Sequence, residues 1–133
     1  MSETINTTNR GFLMFDLGKD RIEGFVEKNI EYDIESGVYN TKIDIYSPYV
    51  FSKEEIEEIS RLSTFKENVV LKKSVTSAVV NGNNMSKIEI SLKPLASKDR
   101  VDDFCRLLVI QHSSFIWHCI QQMQSRKQLE EER

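Results

Sequence analysis

Glycine and proline are scarce, five and two in 133 residues, so long linkers and low-complexity spacers are not expected over most of the chain. Cysteine is nearly absent too. Cys105 and Cys119 fall on one helical stretch, and a separation of fourteen positions puts their Cα atoms about 21 Å apart at helical rise. That is far beyond disulfide reach. No uninterrupted apolar run approaches the roughly 18 residues of a membrane span. The most apolar stretch, 104–120, is broken by Arg106, Gln111, His112, Ser113, Ser114 and His118. The first ten residues are polar, and Phe12 to Leu17 is too short for the apolar part of a secretory signal. A soluble, cytoplasmic protein with no membrane association is the expectation.

A basic excess is also missing. The net charge is −3 and the pI about 5.5, whereas phosphate neutralisation gives nucleic-acid binders a basic face. Lysines at 66, 72, 73, 87, 93 and 98, with Arg100, could form a local patch, but strand lysines usually guard sheet edges. Catalytic signatures are lacking: there is no glycine-rich phosphate loop, C-x-x-C pair, H-E-x-x-H or G-x-S-x-G elbow. His112 beside Ser113 diverges by about 100° on a helix, and Ser114 with His118 has no orienting acid nearby. No catalytic residue, metal ligand or cofactor is assigned, and a non-enzymatic role is favoured.

What is present is a patterned chain of one-domain size. The polar segment 1–10 reads as a disordered tail, and 11–133 as a single α+β domain. Phe12 to Leu17 suggests a strand. Alternation of Ile22, Gly24, Val26, Ile30, Tyr32 and Ile34 with polar residues suggests a second, and Tyr39, Thr41, Ile43 and Ile45 a third, closed by Pro48. Glu35-Ser36-Gly37 reads as the hairpin loop between the latter two. Val69, Leu71, Val75 and Val79 alternate with Val70, Lys72, Ser74 and Thr76. After Asn81-Gly82, Ile88, Ile90 and Leu92 alternate with Lys87, Glu89, Ser91 and Lys93. Asn-Gly between such runs is a strong hairpin signal, because both residues tolerate positive φ.

Two helices are expected. Ser52 and Glu55 form a capping box and Phe51 with Ile56 a hydrophobic staple, opening a short helix near 52–64 with an Ile56, Ile59, Leu62 stripe. Ser97 opens a long helix near 98–131 with Asp99, Asp102 and Asp103 near its positive end. The predicted fold is α+β: an antiparallel sheet of about five strands in two hairpins, with both helices packed on one face.

The long helix carries the functional reading. On a helical wheel, Phe104, Cys105, Leu108, Val109, Phe115, Ile116, Cys119, Ile120 and Met123 form one apolar arc. Leu107, Ile110 and Trp117 lie elsewhere, among Arg106, Ser113, Ser114 and Gln121. Val101, Leu108, Phe115 and Leu129 also share heptad spacing, broken by Gln122. About 50 Å of helix exceeds the width of such a domain, so its C-terminal end should project. Arg106, Leu107, Ile110, Ser114, Trp117 and Gln121 are the candidate interface, because Trp and Arg on a mixed apolar surface suit binding hot spots. The expected role is a non-catalytic protein-binding protein (adaptor, chaperone-like carrier or inhibitor) with an unidentified protein partner, forming a homodimer or higher homo-oligomer.

Two other readings stand beside it. One is a nucleic-acid module using strand lysines and Tyr32, Tyr39 or Tyr46. The other is a small-molecule site or enzyme with a pocket around His112. His112 lies in the main arc between Cys105 and Cys119. It reads as a buried polar residue, bonded to a strand carbonyl or a serine, and as a possible pH switch.

Overall fold

The structure, a computed structural model, describes residues 3–17, 19–62 and 68–131, with the side chains of Leu17 and Asp20 left aside. It is a five-stranded antiparallel sheet with a short helix and a long C-terminal helix, the expected α+β arrangement. The strands are β1 (Thr4–Leu17), β2 (Asp20–Asp33), β3 (Val38–Ser47), β4 (Val70–Val80) and β5 (Asn83–Leu92). The helices are α1 (Lys53–Arg61) and α2 (Lys98–Glu131).

Strand order is β1-β2-β3-β5-β4. The first three strands form a meander. After α1 the chain returns as β4 at the far edge, and β5 folds back between β3 and β4. The β2–β3 and β4–β5 hairpins each have a local cause. Asp33 Oδ1 accepts from the backbone N–H of Glu35 and Ser36, and Gly37 takes φ 69°. At the second, Asn81 and Gly82 adopt φ 51° and 80° between paired Val80 and Asn83, the turn whose twist matches the strands.

One face of the sheet is apolar and covered. Ile30, Thr41, Ile43, Ile45, Ile88, Ile90 and Leu92 are buried there against Phe51, Ile59 and the inner arc of α2. The opposite face carries paired charges. Lys87 meets Glu89 at 2.9 Å, and Lys42 lies 4.0 Å from Asp44. Such alternation lets an antiparallel sheet keep one wet face.

The helix caps form as the sequence requires. Ser52 Oγ accepts from Glu55 N (3.2 Å), and Glu55 Oε1 accepts from Ser52 N (2.8 Å). At α2, Ser97 Oγ accepts from Arg100 N at 3.4 Å.

Four boundaries and faces differ from the sequence reading. The segment expected as a tail, 1–10, is from Thr4 to Arg10 the first half of β1, paired with Asp33 to Glu27. Its Thr and Ile residues suit a strand despite their polarity, once β2 is long enough to pair with them. The short helix ends at Arg61 rather than near 64, and residues 63–67 lie outside the described part. Of the expected Ile56, Ile59, Leu62 stripe only Ile59 is buried: Ile56 is exposed in the first turn, and Leu62 is the C-cap, already extended and past the last helical residue. In β4, a bulge between Val70 and Lys72 shifts the alternation, so Leu71 points outward at 65% exposure.

Candidate functional site

The long helix divides its circumference as the wheel predicts. Val101, Cys105, Leu108, His112, Ile116, Cys119 and Ile120 are buried against the sheet. Phe104, Val109 and Phe115 are half-buried beside them. Phe115 reaches Phe51 with ring centroids 6.1 Å apart. The heptad line Val101, Leu108, Phe115 is therefore spent inside the fold, which explains why it breaks at Gln122. Beyond Ile120 no described α2 residue is buried.

The candidate interface residues occupy the other side. Arg106, Leu107, Ile110, Ser114 and Gln121 are exposed. Leu107 shows 43% and Ile110 55% of its surface. Arg106 pairs with Asp103 at 3.4 Å in an exposed bridge, which contributes little by itself. Trp117 is the exception: it is half-buried, stacked on Phe15 of β1 at 6.2 Å between centroids. It thus anchors the helix to the first strand while leaving an edge outward.

Arg106, Ile110, Ser114 and Trp117 of this side line hollows shared with β1; Leu107 and Gln121 do not. Two hollows mark the seam. One, of about 490 Å³, is lined by Gly11, Phe12, Leu13, Cys105, Arg106, Val109 and Ile110 among others. The second, of about 400 Å³, is lined by Leu13 to Asp16 with Ser113, Ser114 and Trp117. On the far face of the same strand Phe12 is 74% and Met14 55% exposed. The sequence reading missed Phe12 and Met14 as surface residues. Their signal was a strand run with apolar residues at both parities, which has no single inward face.

His112 is fully buried, but not as expected. Its Nδ1–H donates to Leu108 O one turn back, at 2.7 Å, rather than to a strand or a serine. Helical side chains lean back over the preceding turn, which brings the ring to a carbonyl four residues earlier. Nε2 has no hydrogen-bond partner among the described residues. Burial, with the positive charge of Lys73 nearby, pushes the imidazole down to about 4. None of the hollows described here is lined by His112. The largest, about 570 Å³, lies near the Asn81-Gly82 turn between Phe12, Phe25 and Met85.

Other titratable groups are held in structural roles. Burial lowers Lys73 to about 8, and its ammonium donates to Ile59 O and Leu62 O at the C-terminal end of α1, where a cation complements the helix dipole. Tyr49 donates to Glu55, 3.0 Å from both carboxylate oxygens. Burial raises Tyr49 to about 12 and, together with Glu55, raises Cys119 to about 12. Burial raises Cys105 to about 11. Thiols so shifted stay protonated and are poor nucleophiles. Among the described residues no three His, Cys, Asp or Glu side chains gather as a metal site, and no helix is long and apolar enough to cross a membrane.

The tyrosines of the nucleic-acid reading are engaged. Tyr32 packs on Tyr39 at 4.6 Å, and Tyr46 stacks on Phe25 at 4.2 Å with Lys87 over its other side. Stacking platforms need free ring faces, and the neighbouring lysines sit beside carboxylates. Against protein-family models, curated proteins and solved structures alike, the chain finds no match.

Proposed function

We propose that this is a non-catalytic protein that works by binding another protein and that it self-associates through the outward side of α2. One observation carries this reading. A helix of 34 residues already buries a full apolar arc, yet it still presents Leu107 and Ile110 to water, and the far face of the adjoining strand exposes Phe12 and Met14 as well. Scattered surface hydrophobics are ordinary; apolar residues grouped on both sides of one seam are characteristic of a contact surface. Arg106 and Trp117 at that seam are the residue types enriched in binding hot spots. Adaptor, chaperone-like carrier and inhibitor roles all need such a surface. A cytoplasmic setting fits two buried, unpaired thiols.

The test is the solution mass of the full chain by sedimentation or light scattering, compared with Ile110→Asp. Ile110 is exposed, so the charge should leave the fold intact while burying an unpaired carboxylate in any contact through this row. The wild type is expected to be a dimer or larger, and the variant to dissociate with unchanged circular dichroism. A wild type that stays monomeric would remove the self-association reading.

A further inference from the structure

We propose that two copies of this chain pair through the outer edge of β1, antiparallel and centred on Leu13, so that their sheets continue as one and their α2 helices flank the seam. This rests on the self-association reading above and gives it a geometry. Among the described residues β1 bonds only to β2, so none of them pairs the backbone groups on the other edge of this 14-residue strand. Natural edges are commonly blunted with Lys or Pro. β1 has neither, and its only charges are Arg10 and Asp16.

Those two charges select the register, with Arg10, which lies over the Phe25 ring and 3.8 Å from Glu27 in an exposed bridge of its own chain, sharing that bridge with the partner. Opposed residues of an antiparallel pair share a face. With the two-fold axis at Leu13, Arg10 stands opposite the partner's Asp16, and Asp16 opposite the partner's Arg10. Phe12 then stands opposite the partner's Met14 on the same face, covering two exposed apolar side chains. On the helix side Gly11 stands opposite the partner's Phe15, whose ring stays buried against its own Trp117, and Gly11 adds no side chain to clash there. Moving the axis to Phe12 would set Arg10 against Met14. Moving it to Met14 would set Asp16 against Phe12. Both alternatives put a charge on an apolar side chain, and opposite charges across a strand pair are favourable where such mismatches are not. The charge pattern is complementary to its own reverse, which is why the occupant is a second copy rather than an unrelated strand.

The paired segment, residues 9–17 of each copy, would span about 30 Å at strand rise. A strand edge alone falls short of the roughly 800 Å² per partner that stable dimers bury. Arg106, Ile110, Ser113 and Trp117 line hollows shared with β1 and would supply the remainder.

Disulfide trapping in the full chain tests the register. Phe12→Cys and Met14→Cys alter exposed positions, and the native thiols are buried. Opposed Cβ atoms lie about 5 Å apart and diagonal ones about 7–8 Å, so only opposed cysteines approach disulfide geometry. Under mild oxidation, an equal mixture of the two variants should cross-link at least about tenfold faster than either alone. Leu13→Cys, on the axis, should cross-link by itself. Phe12→Cys or Met14→Cys linking with itself faster than the mixture would overturn this register. A dimer that Ile110→Asp disrupts but no cysteine variant traps would overturn the β1 pairing and leave the α2 reading standing. A monomeric wild type would overturn both.

Discussion

Lowering the pH should weaken this protein through one residue, His112. In the folded chain its imidazole is held down to about 4 by burial and by Lys73, against an ordinary value of 6.5. The unfolded chain therefore takes up a proton as pH falls through 6.5, while the folded chain refuses it until about pH 4. Folding stability is complete above 6.5, declines between 6.5 and 4, and levels off below. At about pH 5 the two titrations differ by about 2 kcal/mol, from the ratio of their proton-binding terms. That is a large fraction of the stability of a typical domain. Replacing His112 with Leu removes the titration. It also removes an unpaired buried Nε2, whose desolvation costs about 1–3 kcal/mol, while the Leu108 carbonyl keeps its helix hydrogen bond. His112→Leu should thus be as stable as wild type or more so near neutral pH, and the gap should widen by about 2 kcal/mol at about pH 5. Urea unfolding of both proteins at fixed concentration across this range measures the difference directly. Parallel stability curves for the two proteins would show that the ring is solvated or paired, and the reasoning would fail.

Three further outcomes follow from local geometry. A Cβ at Gly24 would lie 2.4 Å from the backbone oxygen of Tyr46, so Gly24→Ala must part β2 from β3 and should cost about 1–3 kcal/mol in the urea midpoint; a neutral effect would mean the strands separate freely there. Ser52→Ala removes the acceptor for Glu55 N and should cost about 1 kcal/mol; Glu55→Ala should cost at least as much, because Tyr49 and Ser52 N both lose a partner. Cys105 and Cys119, pushed up to about 11 and 12, should react with a thiol reagent at about pH 8 only after denaturation, and rapid labelling of the native chain would contradict the burial.

Local signals in the sequence translated well where one physical cause dominates. The capping box at Ser52 and Glu55, the Asn81-Gly82 turn and the inner arc of α2 each follow from short-range geometry, and each is in place. What failed depended on a partner strand or on count. Thr4 to Arg10 looks like a tail until β2 is seen to run on for 14 residues beside it. The outward turn of Leu71 needs the bulge after Val70, which alternation cannot announce. Strand order was out of reach as well, since nothing local to the second hairpin says that β5 rather than β4 pairs with β3. At the candidate interface the sequence located exposed residues on α2 but not the strand that completes the seam.

That missing half changes how the helix should be understood. An outward apolar row on a long helix invites a coiled-coil partner, yet the heptad line of α2 is used up inside, on Phe51 and the sheet. The residues left over, Leu107, Ile110 and the outer edge of Trp117, are too few and too irregular to form a two-helix seam by themselves. They make physical sense as one wall of a composite surface whose floor is the edge of β1. Trp117 ties the two walls together through its stack on Phe15. Trp117→Ala should accordingly weaken association as Ile110→Asp does, and also do what Ile110→Asp does not: loosen β1 from α2 and lower the thermal midpoint. If Trp117→Ala lowered the midpoint while dimer affinity stayed intact, the seam would be a packing feature of one chain, and association would have to occur elsewhere.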